Sequence, residues 1–118
     1  MILVDTSVWV DHFRAADGRL TDLLLDGQVL CHGFVIGELA CGNLRRRAEV
    51  LALLAALPQI PAIASEDVIR FVDAHRLMGR GLGWVDVHLL ASAYVSRERL
   101  WTRDRRLREA AQRLGVAV

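Results

Sequence analysis

Apolar residues near the start of the chain occur first as a short run and then at helical spacing. The run over residues 1–4 ends at Asp5, and this predicts a buried strand followed by an acidic turn. Beyond that turn, Trp9, Val10 and Phe13 recur on one side of a helical projection, which predicts a helix with these three side chains buried. The chain therefore opens as strand, turn and helix.

The same two patterns alternate along the remainder of the chain. Apolar runs predict strands over residues 28–31 and 100–102, and helical spacing predicts helices over residues 20–25, 34–41, 44–57, 65–78, 84–96 and 105–114. Ser65 is the predicted N-cap of its helix. Strands separated by helices predict a short parallel sheet covered on both faces, and residues 1–118 suit one domain of ordinary size.

The charged residues narrow the range of functions. Net charge is only +1, so binding to nucleic acid through overall charge is not expected. All 15 basic residues are Arg and none is Lys. This excludes mechanisms that need a lysine amine, such as a Walker-type phosphate site, a Schiff base or a receiver domain.

The chain shows neither a basic leader nor an apolar stretch long enough to span a membrane, so we expect a cytoplasmic protein with no membrane contact. Cys31 and Cys41 lack the spacing of a zinc site and are predicted to be small core residues. The four histidines are scattered and predict no zinc site.

Four acidic residues fall where chemistry is expected. Asp5 and Asp104 follow predicted strands, and ligand sites in open α/β sheets form beyond the carboxyl ends of strands. Glu38 and Asp86 lie on otherwise apolar helices, where a buried carboxylate is costly without a partner. Turn or helix-end roles would also explain Asp5, Asp86 and Asp104, whereas Glu38 is predicted to be mid-helix and is harder to explain that way.

Clustered carboxylates repel one another, so such a cluster implies either protonation or a bound cation. Oxygen-only ligands favour one or two ions of Mg²⁺ or Mn²⁺ over Zn²⁺. These ions commonly assist phosphodiester hydrolysis, which makes a nuclease the leading hypothesis.

Four segments in this order resemble a known family. They are residues 4–9 (VDTSVW), 36–39 (IGEL), 83–93 (GWVDVHLLASA) and 100–104 (LWTRD), and they span almost the whole chain. The sequence resembles the PIN-domain nucleases and, within them, the VapC-type toxins. The resemblance implies an α/β/α sandwich with an acidic Mg²⁺ or Mn²⁺ site that cuts RNA.

The resemblance also implies roles for particular residues. The acids Asp5, Glu38, Asp86 and Asp104 match the acidic positions of the family. Ser7 and Thr102 match hydroxyl positions close to that site, although helix capping would also explain either one. Some relatives carry a further acid after the last aspartate, where this chain has Arg105-Arg106-Leu107, so a fifth ligand is not expected. A homodimer and a VapB-like antitoxin are the implied partners.

Arginine clusters are candidates for contact with RNA phosphates, because the guanidinium fork matches phosphate oxygens. Arg103, Arg105 and Arg106 adjoin Asp104 and are the stronger candidates, whereas residues 45–47 are weaker ones. A solvated helix face would explain either cluster equally well. The tryptophans Trp9, Trp84 and Trp101 are predicted to lie in the core or at a dimer interface.

Two other classes of protein remain to be considered. A phosphoaspartyl hydrolase also places an Asp after its first strand, but it needs a second Asp where Ser7 stands. A catalytically silent module that binds RNA or protein is the other alternative. Four acids argue against it, because clustered carboxylates do not help to bind a polyanion.

Overall fold

The computed structural model describes residues 1–118, in three short strands and seven helices. The strands are β1 (Ile2–Val4), β2 (Val29–Leu30) and β3 (Arg99–Trp101). The helices are α1 (Thr6–Arg14), α2 (Gly18–Leu25), α3 (Gly33–Ala40), α4 (Arg47–Ala56), α5 (Ser65–His75), α6 (Trp84–Ser96) and α7 (Arg105–Arg113). None of these helices is both long and apolar enough to cross a bilayer.

The strands form one parallel sheet in the order β2-β1-β3, with β1 at its centre. Leu3 and Val4 are adjacent in β1 and therefore point to opposite faces of the sheet, and both are fully buried. Both faces are thus covered by helices, as in an α/β/α sandwich. This confirms the predicted α/β class and its short parallel sheet.

The central strand β1 and its neighbour β3 end at the same edge of the sheet. Leu3 pairs with Leu100 and Val4 with Trp101 in parallel register. The backbone N–H of Asp5 then donates to the carbonyl of Trp101 at 2.9 Å, which extends the ladder by one residue. The segments that follow β1 and β3 are consequently neighbours.

Most predicted boundaries differ from the structure by one to three residues, and two of these differences concern the starts of α4 and α5. The helix predicted from residue 44 begins instead at Arg47, whose guanidinium donates to the carbonyl of Ala40 at 3.0 and 3.2 Å. This side chain satisfies a carbonyl at the end of α3, and residues 41–46 form the connection. Ser65 is the first residue of α5 rather than its N-cap, which is Ala64.

Three side chains predicted to be buried are exposed. Val10 and Phe13 are 37% and 38% exposed, because the apolar stripe of α1 is wider than the surface that covers it. Cys41 is also exposed, since it caps the C-terminus of α3 where the chain leaves the core. Cys31 is buried as predicted, and burial raises the pKa of its thiol to about 11.

Candidate active site

Asp5 stands at the junction of β1 and α1 and is held by two hydroxyl groups. Ser7 Oγ and Thr102 Oγ1 each donate to Asp5 Oδ2 at 2.7 Å. The residue is only 6% exposed, so hydrogen-bond donors are needed to keep its charge in that position. Asp5 is the N-cap residue of α1, yet its side chain makes no capping hydrogen bond.

The same two hydroxyls attach Asp5 to the segment that follows β3. Ser7 Oγ accepts from the backbone N–H of Arg103, and Thr102 Oγ1 accepts from that of Asp104, both at 3.0 Å. Each hydroxyl therefore donates to the carboxylate and accepts from the backbone. This arrangement orients Asp5 and fixes residues 102–104 beside it.

Glu38 reaches the same region from α3. Thr6 Oγ1, in the first turn of α1, donates to Glu38 Oε1 at 2.6 Å. Glu38 is exposed, so its place on an apolar helix does not bury its charge as the sequence pattern predicted. The reason is that only one side of this short helix packs into the core, through Val35 and Leu39.

Helix α3 begins at a buried histidine, which the sequence pattern did not single out. His32 is its N-cap residue, and Nδ1 accepts from the backbone N–H of Phe34 at 2.9 Å. Burial is the main cause that lowers the pKa of His32, and the nearby His88 lowers it further. The neutral ring can thus accept this hydrogen bond and fix the start of the helix that carries Glu38.

Asp86 lies in the first turn of α6 and is half-buried. Its Oδ2 accepts from the backbone N–H of Gly83 at 2.8 Å. Burial raises the pKa of Asp86, the hydrogen bond from Gly83 opposes that rise, and repulsion from three other carboxylates adds to it. Those three are Asp5, Asp104 and Glu38, so Asp86 lies within electrostatic range of every other predicted acid.

Asp104 is the N-cap residue of α7, and its Oδ1 accepts from the backbone N–H of Leu107 at 2.9 Å. The carboxylate is exposed and partly occupied in capping, the structural role that the sequence also allowed.

The four carboxylates share one feature that suits a cation. In each, the second oxygen receives no hydrogen bond from the protein and is not enclosed: Asp5 Oδ1, Glu38 Oε2, Asp86 Oδ1 and Asp104 Oδ2. No group of three or more Asp, Glu, His or Cys side chains is arranged to hold a metal ion directly. Mg²⁺ is usually bound by one or two carboxylates and keeps several of its waters, so it does not require three direct protein ligands.

Arg103 links the segment after β3 to α1 and α2 through two salt bridges. Its Nη1 pairs with Asp11 of α1 and its Nη2 with Asp17 at the N-cap of α2, both at 2.6 Å. Of the other arginines predicted to bind RNA, Arg105 pairs with Glu109 at 3.4 Å, and the guanidinium of Arg106 lies against Gly81. A Cβ at Gly81 would collide with it.

Sequence patterns missed several of these contacts. The contact of Thr6 with Glu38 could not be predicted, because periodicity does not show which neighbouring helix a hydroxyl faces. Asp11 and Asp17 had no signal either, since their partner Arg103 is far along the chain. The DTS run after β1 was the usable signal, because three adjacent polar residues follow a buried strand.

Comparison with known proteins supports the resemblance found in the sequence. Residues 2–113 match the PIN domain family. Two curated relatives, each named Ribonuclease VapC32, come from Mycobacterium tuberculosis strains CDC 1551 / Oshkosh and ATCC 25618 / H37Rv. Each is 55% identical over 119 residues, and the match covers 100% of this chain and 96% of the relative.

A solved structure shows the same fold. The crystal structure of PAE2754 from Pyrobaculum aerophilum aligns with a TM-score of 0.69, covering 99% of this chain and 87% of that one. Sequence identity in this pair is 18%, so the likeness concerns the fold alone.

Proposed function

Because this chain belongs to the PIN-domain family and, within it, to the VapC ribonucleases, we propose that it is a metal-dependent endoribonuclease. We propose further that it is the toxin of a toxin–antitoxin pair. The observation that carries the catalytic part is the acidic centre, defined as Asp5, Glu38, Asp86 and Asp104. Its members come from two helices and two strand ends, and each has a carboxylate oxygen that receives no hydrogen bond from the protein.

One or two ions of Mg²⁺ or Mn²⁺ are the proposed cofactor, with the four residues of the acidic centre as ligands either directly or through waters that such ions retain. Such an ion, when bound, activates water and stabilises negative charge on a phosphate. Repulsion among these carboxylates already raises the pKa of Asp86, although less than burial does. A cation would relieve that repulsion, so metal and protons should compete for the site.

The hydroxyl contacts assign supporting roles to three residues. Ser7 and Thr102 both occupy Asp5 Oδ2 and leave Oδ1 available. Thr6 does the same for Glu38, whose Oε1 it occupies. Each acid thus presents one oxygen in a fixed position, which is how ligand-orienting hydrogen bonds act around metal sites.

We also propose a substrate, partners, a cellular location and a domain extent for this protein. Membership of the VapC ribonucleases supports RNA as substrate, a VapB-like antitoxin as inhibitor, a homodimer and a cytoplasmic location. The match over residues 2–113 supports a single nuclease domain over residues 1–118.

The test is cleavage of a pool of cellular RNA by the purified protein with Mg²⁺, with Mn²⁺ or with EDTA. Asp5→Asn and Asp86→Asn should each lose cleavage, because each removes a charge from the acidic centre. Asp22→Asn is the matched control, since Asp22 is an exposed acid of α2 outside that centre.

Metal-dependent cuts that disappear in Asp5→Asn and Asp86→Asn but persist in Asp22→Asn would support the proposal, and sequencing of the new ends would identify the target. Cleavage that survives EDTA or both substitutions would reject the metal mechanism. RNA binding without any cleavage would instead favour the silent binding module.

A further inference from the structure

A groove of about 660 Å³ opens beside the acidic centre, between α1, α3 and the connection that follows α3. It is lined by Thr6 and Glu38, which are hydrogen-bonded to each other, and further along α1 by Phe13 and Arg14. Arg14 is eight residues beyond Thr6, so the helical rise places it about 12 Å along the axis. The groove therefore leads away from the acidic centre along α1.

Two arginines in this groove have unoccupied guanidinium groups. Arg14 and Arg45 both line the groove and are exposed, and neither forms an ion pair or a side-chain hydrogen bond. Most other arginines named as candidates are engaged elsewhere, Arg103 with two aspartates and Arg47 with a carbonyl. Unpaired guanidinium groups can form paired hydrogen bonds with phosphate oxygens.

An aromatic ring lies beside the two arginines. Phe13 lines the groove, is 38% exposed, and stacks on Trp9 with ring centroids 5.8 Å apart and an interplanar angle of 25°. Because Trp9 is buried, this contact holds the Phe13 ring in place. Exposed aromatic rings next to arginines are typical of surfaces that bind unpaired bases of single-stranded RNA.

We propose that this groove, the Phe13 groove, binds single-stranded RNA on one side of the cleaved bond. Arg14 and Arg45 would contact its phosphates, and Phe13 would stack on an unpaired base. The inference rests on the proposed function and adds to it a position for the bound RNA on the protein and a preference for unpaired RNA. Glu38 is the one acid in the groove, and its charge would be balanced by the metal, which leaves the two arginine charges for a polyanion.

The test measures RNA binding without cleavage, in an Asp86→Asn background. The probe is a labelled short RNA of mixed sequence with no secondary structure, titrated at several salt concentrations. Arg14→Gln and Arg45→Gln should each weaken binding about tenfold, because each removes a charged hydrogen bond to phosphate. Each should also reduce the slope of log affinity against log salt by about 0.7.

Arg46→Gln is the matched control for Arg45→Gln. Arg46 is the next residue in the chain and is also exposed, but it does not line the groove and it pairs with Glu49 at 3.8 Å. Its substitution should leave both the affinity and the salt slope unchanged. Equal affinities for Arg45→Gln and Arg46→Gln would overturn the proposal.

The stacking role of Phe13 is tested by changing its side chain and by comparing single-stranded with fully paired RNA. Phe13→Leu should weaken binding of single-stranded RNA about tenfold, because base stacking is lost, and Phe13→Trp should restore it. Circular dichroism checks that both variants fold. Equal losses for single-stranded and fully paired RNA would contradict a stacking role.

Cleavage by the native protein separates this inference from the proposed function. If the native protein cleaves RNA with metal but the groove variants bind RNA as well as the unsubstituted groove does, the inference is wrong and the proposed function stands. If the native protein does not cleave RNA with any metal, the proposed function fails, whatever the groove binds. Groove variants that lose affinity only for the cognate antitoxin would assign the groove to that protein and overturn the inference.

Discussion

Two junctions at one edge of the sheet place an aspartate in the same backbone position and use it differently. Asp5 follows β1 and Asp104 follows β3, and each is an N-cap residue with φ near −70°: −71° and −72°. Asp104 caps its helix through Leu107, whereas Asp5 caps nothing and accepts from the hydroxyls of Ser7 and Thr102.

The difference shows which aspartate lacks an ordinary structural explanation. A capping side chain stabilises a helix by about 1 kcal/mol, so Asp104 would be favoured in its position without any chemistry. Asp5 does not make that contribution, and it is buried with its carboxylate held by two hydroxyl groups. A carboxylate that could cap but does not is the stronger functional signal.

The largest expected effect is that of Asp5→Asn on cleavage. Asparagine keeps the size, and its amide oxygen can still accept from both hydroxyls, but the substitution removes the charge, so we expect at least about a hundredfold loss of rate. The melting temperature should change little. Rates on a defined RNA, with Asp22→Asn as control, check this, and a rate near that of the native protein would remove Asp5 from the site.

Substitution of Asp104 separates its two roles. Asn is as good an N-cap as Asp, so Asp104→Asn should retain stability and lose about tenfold in cleavage rate. Asp104→Ala should show the same rate loss and, in addition, unfold more easily by about 1 kcal/mol. Denaturant unfolding measures the second effect. If Asp104→Asn cleaves normally, this residue is only a cap.

A smaller effect is expected from Arg103, which ties the β3 junction to α1 and α2. Arg103→Gln should lower the cleavage rate several-fold, because residues 102–104 lose two ion pairs that position them. Stability should fall only slightly, since the guanidinium is exposed to solvent. Arg70→Gln, which breaks one exposed pair with Asp67 away from the acidic centre, is the control. Equal rates for the two variants would exclude a positioning role.

The smallest effect concerns stability in acid. The N–H of Leu20 is the main cause that lowers the pKa of Asp17 below 3.8, and Arg103 lowers it further. A lowered folded-state pKa stabilises the protein fully above that ordinary value, and the stabilisation disappears as pH falls through the folded-state pKa. Asp17→Asn, which can still cap α2, should therefore lose less stability between pH 4 and pH 2. Parallel acid curves for both proteins would contradict this.

The order of elements was predictable because each depends on local periodicity. Helix α6 matches its predicted bounds, and the sandwich and the PIN resemblance are confirmed. The extent to which each side chain is buried was less predictable. The apolar pattern of α1 could not show that Val10 and Phe13 remain uncovered, because that depends on how α3 and the following connection pack.

Sequence order predicted the four acids of the proposed site but not the contacts that surround them. Asp5 and Asp104 could be predicted to be neighbours because parallel strands end at one edge. Sequence alone could not show that Arg103 forms ion pairs with two aspartates or that Arg14 forms none, because such pairs join residues far apart in the chain. The assignment of RNA contact to Arg103, Arg105 and Arg106 stays a prediction, and the ion pairs of Arg103 and Arg105 weaken its basis.

The most direct test of a shared metal centre is Mn²⁺ binding followed by electron paramagnetic resonance, without RNA and without turnover. The native protein and Asp22→Asn should remove the signal of free aqueous Mn²⁺ to the same extent. Asp5→Asn and Asp86→Asn should bind at least about tenfold more weakly, because each takes a charge from one centre. Equal Mn²⁺ binding by all four proteins would contradict a metal site built from these carboxylates.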